Sequence, residues 1–113
     1  ALAYPKRIAI EHQKLDFAKV GTLNFDPPDY GRFPLLKMAI DSYSEQDQST
    51  LVRLNTANEV AVNSFLKNEI PFLGIAKVVG KTIENMNSTV LSTLDEIAAY
   101  NEEVVEFARK SII

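Results

Sequence analysis

The pattern of apolar residues changes at Pro34, and that change constrains the fold more than any other feature. From Pro34 onward apolar residues recur every three to four positions, the signature of helices with one buried face. "PLLKMAIDSYSEQ" (34–46) aligns Leu36, Ala39, Ile40 and Tyr43. "TANEVAVNSFLKN" (56–68) aligns Ala57, Val60, Ala61 and Phe65. "FLGIAKVVGKTIENM" (72–86) aligns Phe72, Ile75, Ala76, Val79 and Ile83, and the last stretch (94–112) aligns Leu94, Ile97, Ala98, Val105, Ala108 and Ile112. Four such stretches with short connections predict a mainly α fold, a small four-helix bundle over residues 34–113. Pro34 suits a first helical turn, where its missing N–H would have no partner, so Phe33 and Pro34 are expected to form the entry to the bundle.

Residues 1–33 read differently. They hold three of the five prolines and two of the four glycines. Only Thr22-Leu23-Asn24-Phe25 alternates enough to suggest a short strand, and Pro27-Pro28 forbids helix. Some thirty residues without a period are unusual inside a compact domain, roughly twice the longest common loops. The segment is predicted to be an extended arm or linker that wraps over something else.

Composition narrows the function classes. With 113 residues, 46% of them hydrophobic, the chain suits one domain with one modest core. Its net charge of -3 is spread over 12 basic and 15 acidic side chains, without the basic patch that nucleic acid requires. There is no cysteine, which removes thiolate chemistry and zinc–thiolate sites and fits a reducing, cytoplasmic setting. No apolar run reaches the roughly 18 residues needed to span a bilayer, so no membrane partner is expected. The first residue is Ala1 rather than methionine, which suggests a piece of something longer.

Polar side chains crowd "LNTANEVAVNSFL" (54–66). Thr56 and Glu59 have the spacing of a capping box, in which threonine accepts from the third backbone N–H and glutamate reaches back to the cap. Thr93 and Glu96 repeat it before the last stretch. Asn58 has no such explanation and is expected to be a buried polar anchor on a neighbouring backbone. His12 is the only histidine, and no nucleophile is placed against it for a triad. Asp26 and Asp29 flank a turn, where aspartate commonly bonds its own backbone. The glycines at 21, 31, 74 and 80 form no phosphate cradle. No catalytic, cofactor-binding or metal-ligating residue is identified.

The order of the motifs is nevertheless specific. Tyr4-Pro5-Lys6-Arg7, Leu15-Asp16-Phe17, Pro28-Asp29-Tyr30, Arg32-Phe33-Pro34, Leu36-Lys37, Leu54-Asn55 and Ala57-Asn58-Glu59 follow one another at the spacing of a family pattern. The chain resembles the C-terminal part of the 1-deoxy-D-xylulose 5-phosphate reductoisomerases. Leu35 and Thr56 depart from it, standing where the family has cysteine and alanine.

The resemblance implies a parent enzyme that rearranges and reduces 1-deoxy-D-xylulose 5-phosphate to 2-C-methyl-D-erythritol 4-phosphate in non-mevalonate isoprenoid synthesis. It implies NADPH and a divalent metal, Mg or Mn, in the parent, with neither bound by this segment. The expected partners are the catalytic domain of the same chain and a second copy in a homodimer, and an isolated segment is expected to self-associate through its arm. The alternative is an autonomous helical module that binds a partner protein.

Overall fold

The computed structural model describes residues 2–113, and its secondary structure there is entirely helical. The five helices are α1 (Phe17–Val20), α2 (Pro34–Ser44), α3 (Gln48–Leu66), α4 (Phe72–Asn85) and α5 (Leu94–Ile112). The mainly α class expected from the periodicity is therefore the observed one. The strand expected at 22–25 does not form, because no second extended segment lies beside it to complete a ladder.

Residues 4–33 are exposed throughout, and α1 packs against no other helix. The radius of gyration is 19.0 Å, against about 13 Å for a compact domain of this length. The excess is the arm. Within it, Asp16 caps α1 by accepting from the Ala18 N–H at 3.0 Å, and Gly21 leaves the turn at φ 71°, a conformation that suits glycine. Asp29 accepts from the Arg32 N–H at 3.1 Å and directs the chain into α2. Phe33 and Pro34 form the helix entry as expected, with Pro34 in the first turn.

The four longer helices do not close into a ring. α3 packs against α4, α5 and α2, α4 packs against α5, and α2 reaches α3 and α4 but not α5. The core is thus a three-helix unit with α2 laid along one side. Ala57 and Ala61 of α3, Ile75, Val78 and Val79 of α4, and Tyr100, Val104 and Ala108 of α5 fill it. Two alanines one turn apart on the shared helix let both neighbours come close, as ridges settling into grooves require.

α3 begins eight residues before the expected start. Its N-cap is Asp47, whose Oδ1 accepts from the Ser49 N–H at 2.9 Å. No glycine or proline interrupts residues 48–66, so the helix runs unbroken through "TANE". Thr56 and Glu59 therefore lie mid-helix and form no capping box. α3 ends at Asn68, in the left-handed region at φ 61°, with Glu69 N–H on Ser64 O and Asn68 N–H on Phe65 O, the paired bonds of a Schellman ending.

The second box is present. Thr93 Oγ1 accepts from the Glu96 N–H at 3.2 Å, while Glu96 Oε2 accepts from the N–H groups of Thr93 and Ser92. Thr93→Ala should cost about 1 kcal/mol. Urea unfolding followed by helical circular dichroism checks this, and an unchanged midpoint would remove the cap from the stability argument.

Two helices also turn different faces inward from those expected. On α5, Leu94 and Ala98 are exposed while Tyr100 and Val104 are buried. On α2, Leu35, Met38 and Ser42 meet the core while Leu36, Ile40 and Tyr43 face outward. α2 carries apolar residues on both sides, so its own periodicity does not decide which side is covered.

Candidate functional site

Two features stand out from the bundle: a buried polar cluster and an uncovered apolar surface. The cluster centres on Arg53, only 4% exposed, at the first turns of α3. Its Nη1 donates to the backbone carbonyls of Ile83 (3.2 Å) and Met86 at the end of α4. These carbonyls have no partner within the helix, so the guanidinium closes the C-terminus of α4 and lies in the negative end of its dipole. Nη2 donates to Thr50 Oγ1 at 2.6 Å and Ser88 Oγ at 3.0 Å. Arg53 Nε is the one buried side-chain nitrogen or oxygen without a partner among the described residues.

Asp47 completes the charge pair, with Oδ2 3.9 Å from Arg53 Nη2. It accepts the Thr50 hydroxyl at 3.0 Å and the Ser49 hydroxyl at 2.8 Å. Ser49 Oγ in turn accepts the Thr89 N–H at 3.1 Å, and Tyr100 donates its hydroxyl to Asn87 O at 3.0 Å. One cluster thus fastens the start of α3, the end of α4 and the 86–93 connection. Burial pushes the Tyr100 phenol up, so it stays protonated as a donor at neutral pH.

The Ser88 hydroxyl, then those of Ser49 and Thr50 and the Ser49 N–H, hold the Asp47 carboxyl well below its usual value of 3.8, against the opposing effect of burial. The native state therefore binds this proton more weakly than the unfolded chain does. The stability it contributes is complete above about pH 4–5 and is lost as pH falls below the unfolded value. Asp47→Asn should flatten the acid limb of a stability–pH curve below pH 5 and lower the plateau above it. A curve that keeps its slope would exonerate Asp47.

Neither feature is a catalytic centre. Among the described residues no group of three or more His, Asp or Glu side chains could hold a metal ion. His12 is exposed on the arm, its Nδ1 3.1 Å from Ile10 O. The residues singled out from the sequence do not meet. Thr56 is buried and donates its hydroxyl to Asn101 Oδ1 of α5, joining two helices rather than capping one. Asn58 is half-buried and makes no side-chain hydrogen bond among the described residues, so the expected buried anchor would need a partner outside this chain. Glu59 is exposed. Arg53 was missed. Its position four residues before Ala57 puts it on the buried stripe, and a charged residue there is the signal that could have found it.

The apolar surface begins with the arm, where Ile8, Ile10, Leu15, Phe17, Leu23 and Phe25 all face solvent. It ends at a cleft of about 250 Å³ between the starts of α2 and α4, walled by Phe33, Leu36, Phe72, Leu73 and Ile75, with Arg32 its only charged residue. Monomeric proteins rarely expose apolar patches larger than a few hundred Å², and larger ones mark surfaces for other protein.

Comparison with known proteins agrees. The family model described as DXP reductoisomerase C-terminal domain matches residues 1–107. A 1-deoxy-D-xylulose 5-phosphate reductoisomerase of Shewanella amazonensis is 45% identical over 99% of this chain and 28% of its own length, and one of Haemophilus influenzae is 38% identical over 98% and 28%. Among solved structures, the Zymomonas mobilis reductoisomerase in complex with NADPH superposes with a TM-score of 0.79 at 38% identity, covering 98% of this chain and 29% of that one. A reductoisomerase in complex with NADPH, fosmidomycin and magnesium gives a TM-score of 0.83 at 31% identity, with the same coverage. The chain therefore spans less than a third of the length of the relatives it matches.

Proposed function

The chain belongs to the DXP reductoisomerase family as its C-terminal domain, and from that premise we propose that it is the structural domain of a full-length enzyme whose catalytic machinery lies elsewhere in the polypeptide. The enzyme converts 1-deoxy-D-xylulose 5-phosphate to 2-C-methyl-D-erythritol 4-phosphate in the cytoplasm, with NADPH and Mg or Mn as cofactors. Residues 1–33 are the linker and residues 34–113 the helical domain. The residues described here offer neither a phosphate loop nor a carboxylate cluster for those cofactors, and no step of the reaction is assigned to them. The partner of the arm is the catalytic domain of the same chain, in an enzyme that is a homodimer. Cut free, the arm would leave its apolar side chains open and favour self-association.

The observation that carries this reading is the arm: some thirty consecutive exposed residues, rich in large apolar side chains, attached to a well-packed bundle. Such a segment keeps its apolar surface in water unless other protein covers it, at about 25 cal/mol per Å² of apolar area. The arm then holds catalytic groups in register, where small displacements lower rates strongly. A full-length enzyme truncated before Tyr4 should lose turnover at least tenfold, or lose its fold. Full turnover after truncation would overturn the proposal. So would an antibody to this chain that detects only a 12.6 kDa polypeptide in cells.

A further inference from the structure

We infer that the outer face of α2, together with the first turn of α4, is the seat of the catalytic part of the same polypeptide. This rests on the functional reading above and adds to it which face of the bundle is covered. Phe33, Leu36, Ile40 and Tyr43 recur at intervals of three and four along α2 and form one apolar stripe. All four are exposed, Tyr43 at 76%. Phe72 and Leu73 extend the stripe sideways across the cleft, Leu73 at 71% exposure, and Phe72 is steadied by an edge-on contact with Phe65 at 5.7 Å. α2 thus buries Leu35 and Met38 against its own bundle and turns a second apolar side outward. A helix apolar on both sides is normally covered on both.

Two observations select the occupant. The relatives are more than three times as long as this chain, since it spans 28% of them, so most of the polypeptide lies outside the bundle. The arm also runs without a break into the stripe: Arg32 and Phe33 are at once its last residues and a wall of the cleft. A surface that follows the arm to its end arrives at α2 and the start of α4. The cleft lining, apolar except for Arg32, matches aliphatic or aromatic side chains of a folded domain rather than a charged small ligand.

Site-specific labelling of the full-length enzyme tests this. Tyr43→Cys, Leu73→Cys, Phe25→Cys on the arm and Lys110→Cys on α5 are made singly, and each is checked for NADPH-dependent turnover. The rate of reaction with a small polar maleimide is read at the labelled peptide by mass spectrometry, natively and in urea. We expect positions 43 and 73 to react at least tenfold more slowly than position 110 in the native enzyme and equally fast in urea. Labelling at 43 and 73 as fast as at 110 overturns the inference. If 25 is then still protected, the arm reading survives and only the face is wrong; if 25 is also open, both fail. Protection at 43 and 73 that disappears on dilution through the dimer dissociation range would assign the face to a second copy and overturn it too. Should a cysteine variant not fold, slow amide exchange over residues 34–44 in the unmodified enzyme, compared with the exposed ends of α5, gives the same decision.

Discussion

Replacing Arg53 by alanine should lower folding stability by about 3–5 kcal/mol, the range for removing one partner from a buried, hydrogen-bonded charge pair. The change strips donors from Ile83 O and Met86 O and leaves Ser88 and Thr50 without their shared partner. An orphaned buried acceptor costs about 1–3 kcal/mol, so two carbonyls alone approach that range. Part of the Asp47 side chain reaches water, at 28% exposure, and keeps its bonds from Ser49 and Thr50. Most of the loss therefore falls on the end of α4 and the 86–93 connection. Arg53→Lys should recover only part of it, because an ammonium cannot span both carbonyls and Ser88 with one planar fork. Urea unfolding of the three proteins measures this. A loss below 1 kcal/mol in the alanine variant would show that the cluster is replaceable by water.

Ala57→Leu should cost about 1–3 kcal/mol by overpacking. Ala57 is fully buried on α3, the helix that α4 and α5 share, and its core partners Val79 and Val104 are fully buried too. Three added heavy atoms have no space unless a helix moves, and moving α4 would pull its end away from Arg53. The effect should therefore be more than additive with Arg53→Lys, which a double-mutant cycle of unfolding free energies reads directly. Strict additivity would mean that the apolar core and the polar cluster are mechanically independent. A stabilised Ala57→Leu protein would mean that the three helices meet less closely than their burial indicates.

Much of the fold was legible before any coordinates. Helices at 34–44, 72–85 and 94–112 follow from periodicity, because a bundle has to bury one stripe of each helix and the spacing records it. The Thr93–Glu96 box was legible because a cap is local, involving four consecutive residues and their own backbone. The same local pattern misled at Thr56–Glu59. A capping box needs a chain that is not yet helical, and Asp47 had started α3 two turns earlier. The outer stripe of α2 was visible as a stripe but mistaken for the core-facing side, since a helix apolar on two faces does not say which one its own bundle takes.

The sequence by itself determined the class of the fold, the extended character of residues 1–33, the entry at Phe33-Pro34 and the family, because each is written in local spacing or motif order. Tertiary structure alone decided that Arg53 closes α4 from 30 residues away, that Thr56 joins α3 to α5, and that α2 stands beside a three-helix core with one apolar face uncovered. Those outcomes depend on which surfaces meet. Hydrogen bonds and burial between distant segments are set by the packing of whole helices, and no short window of residues contains that information.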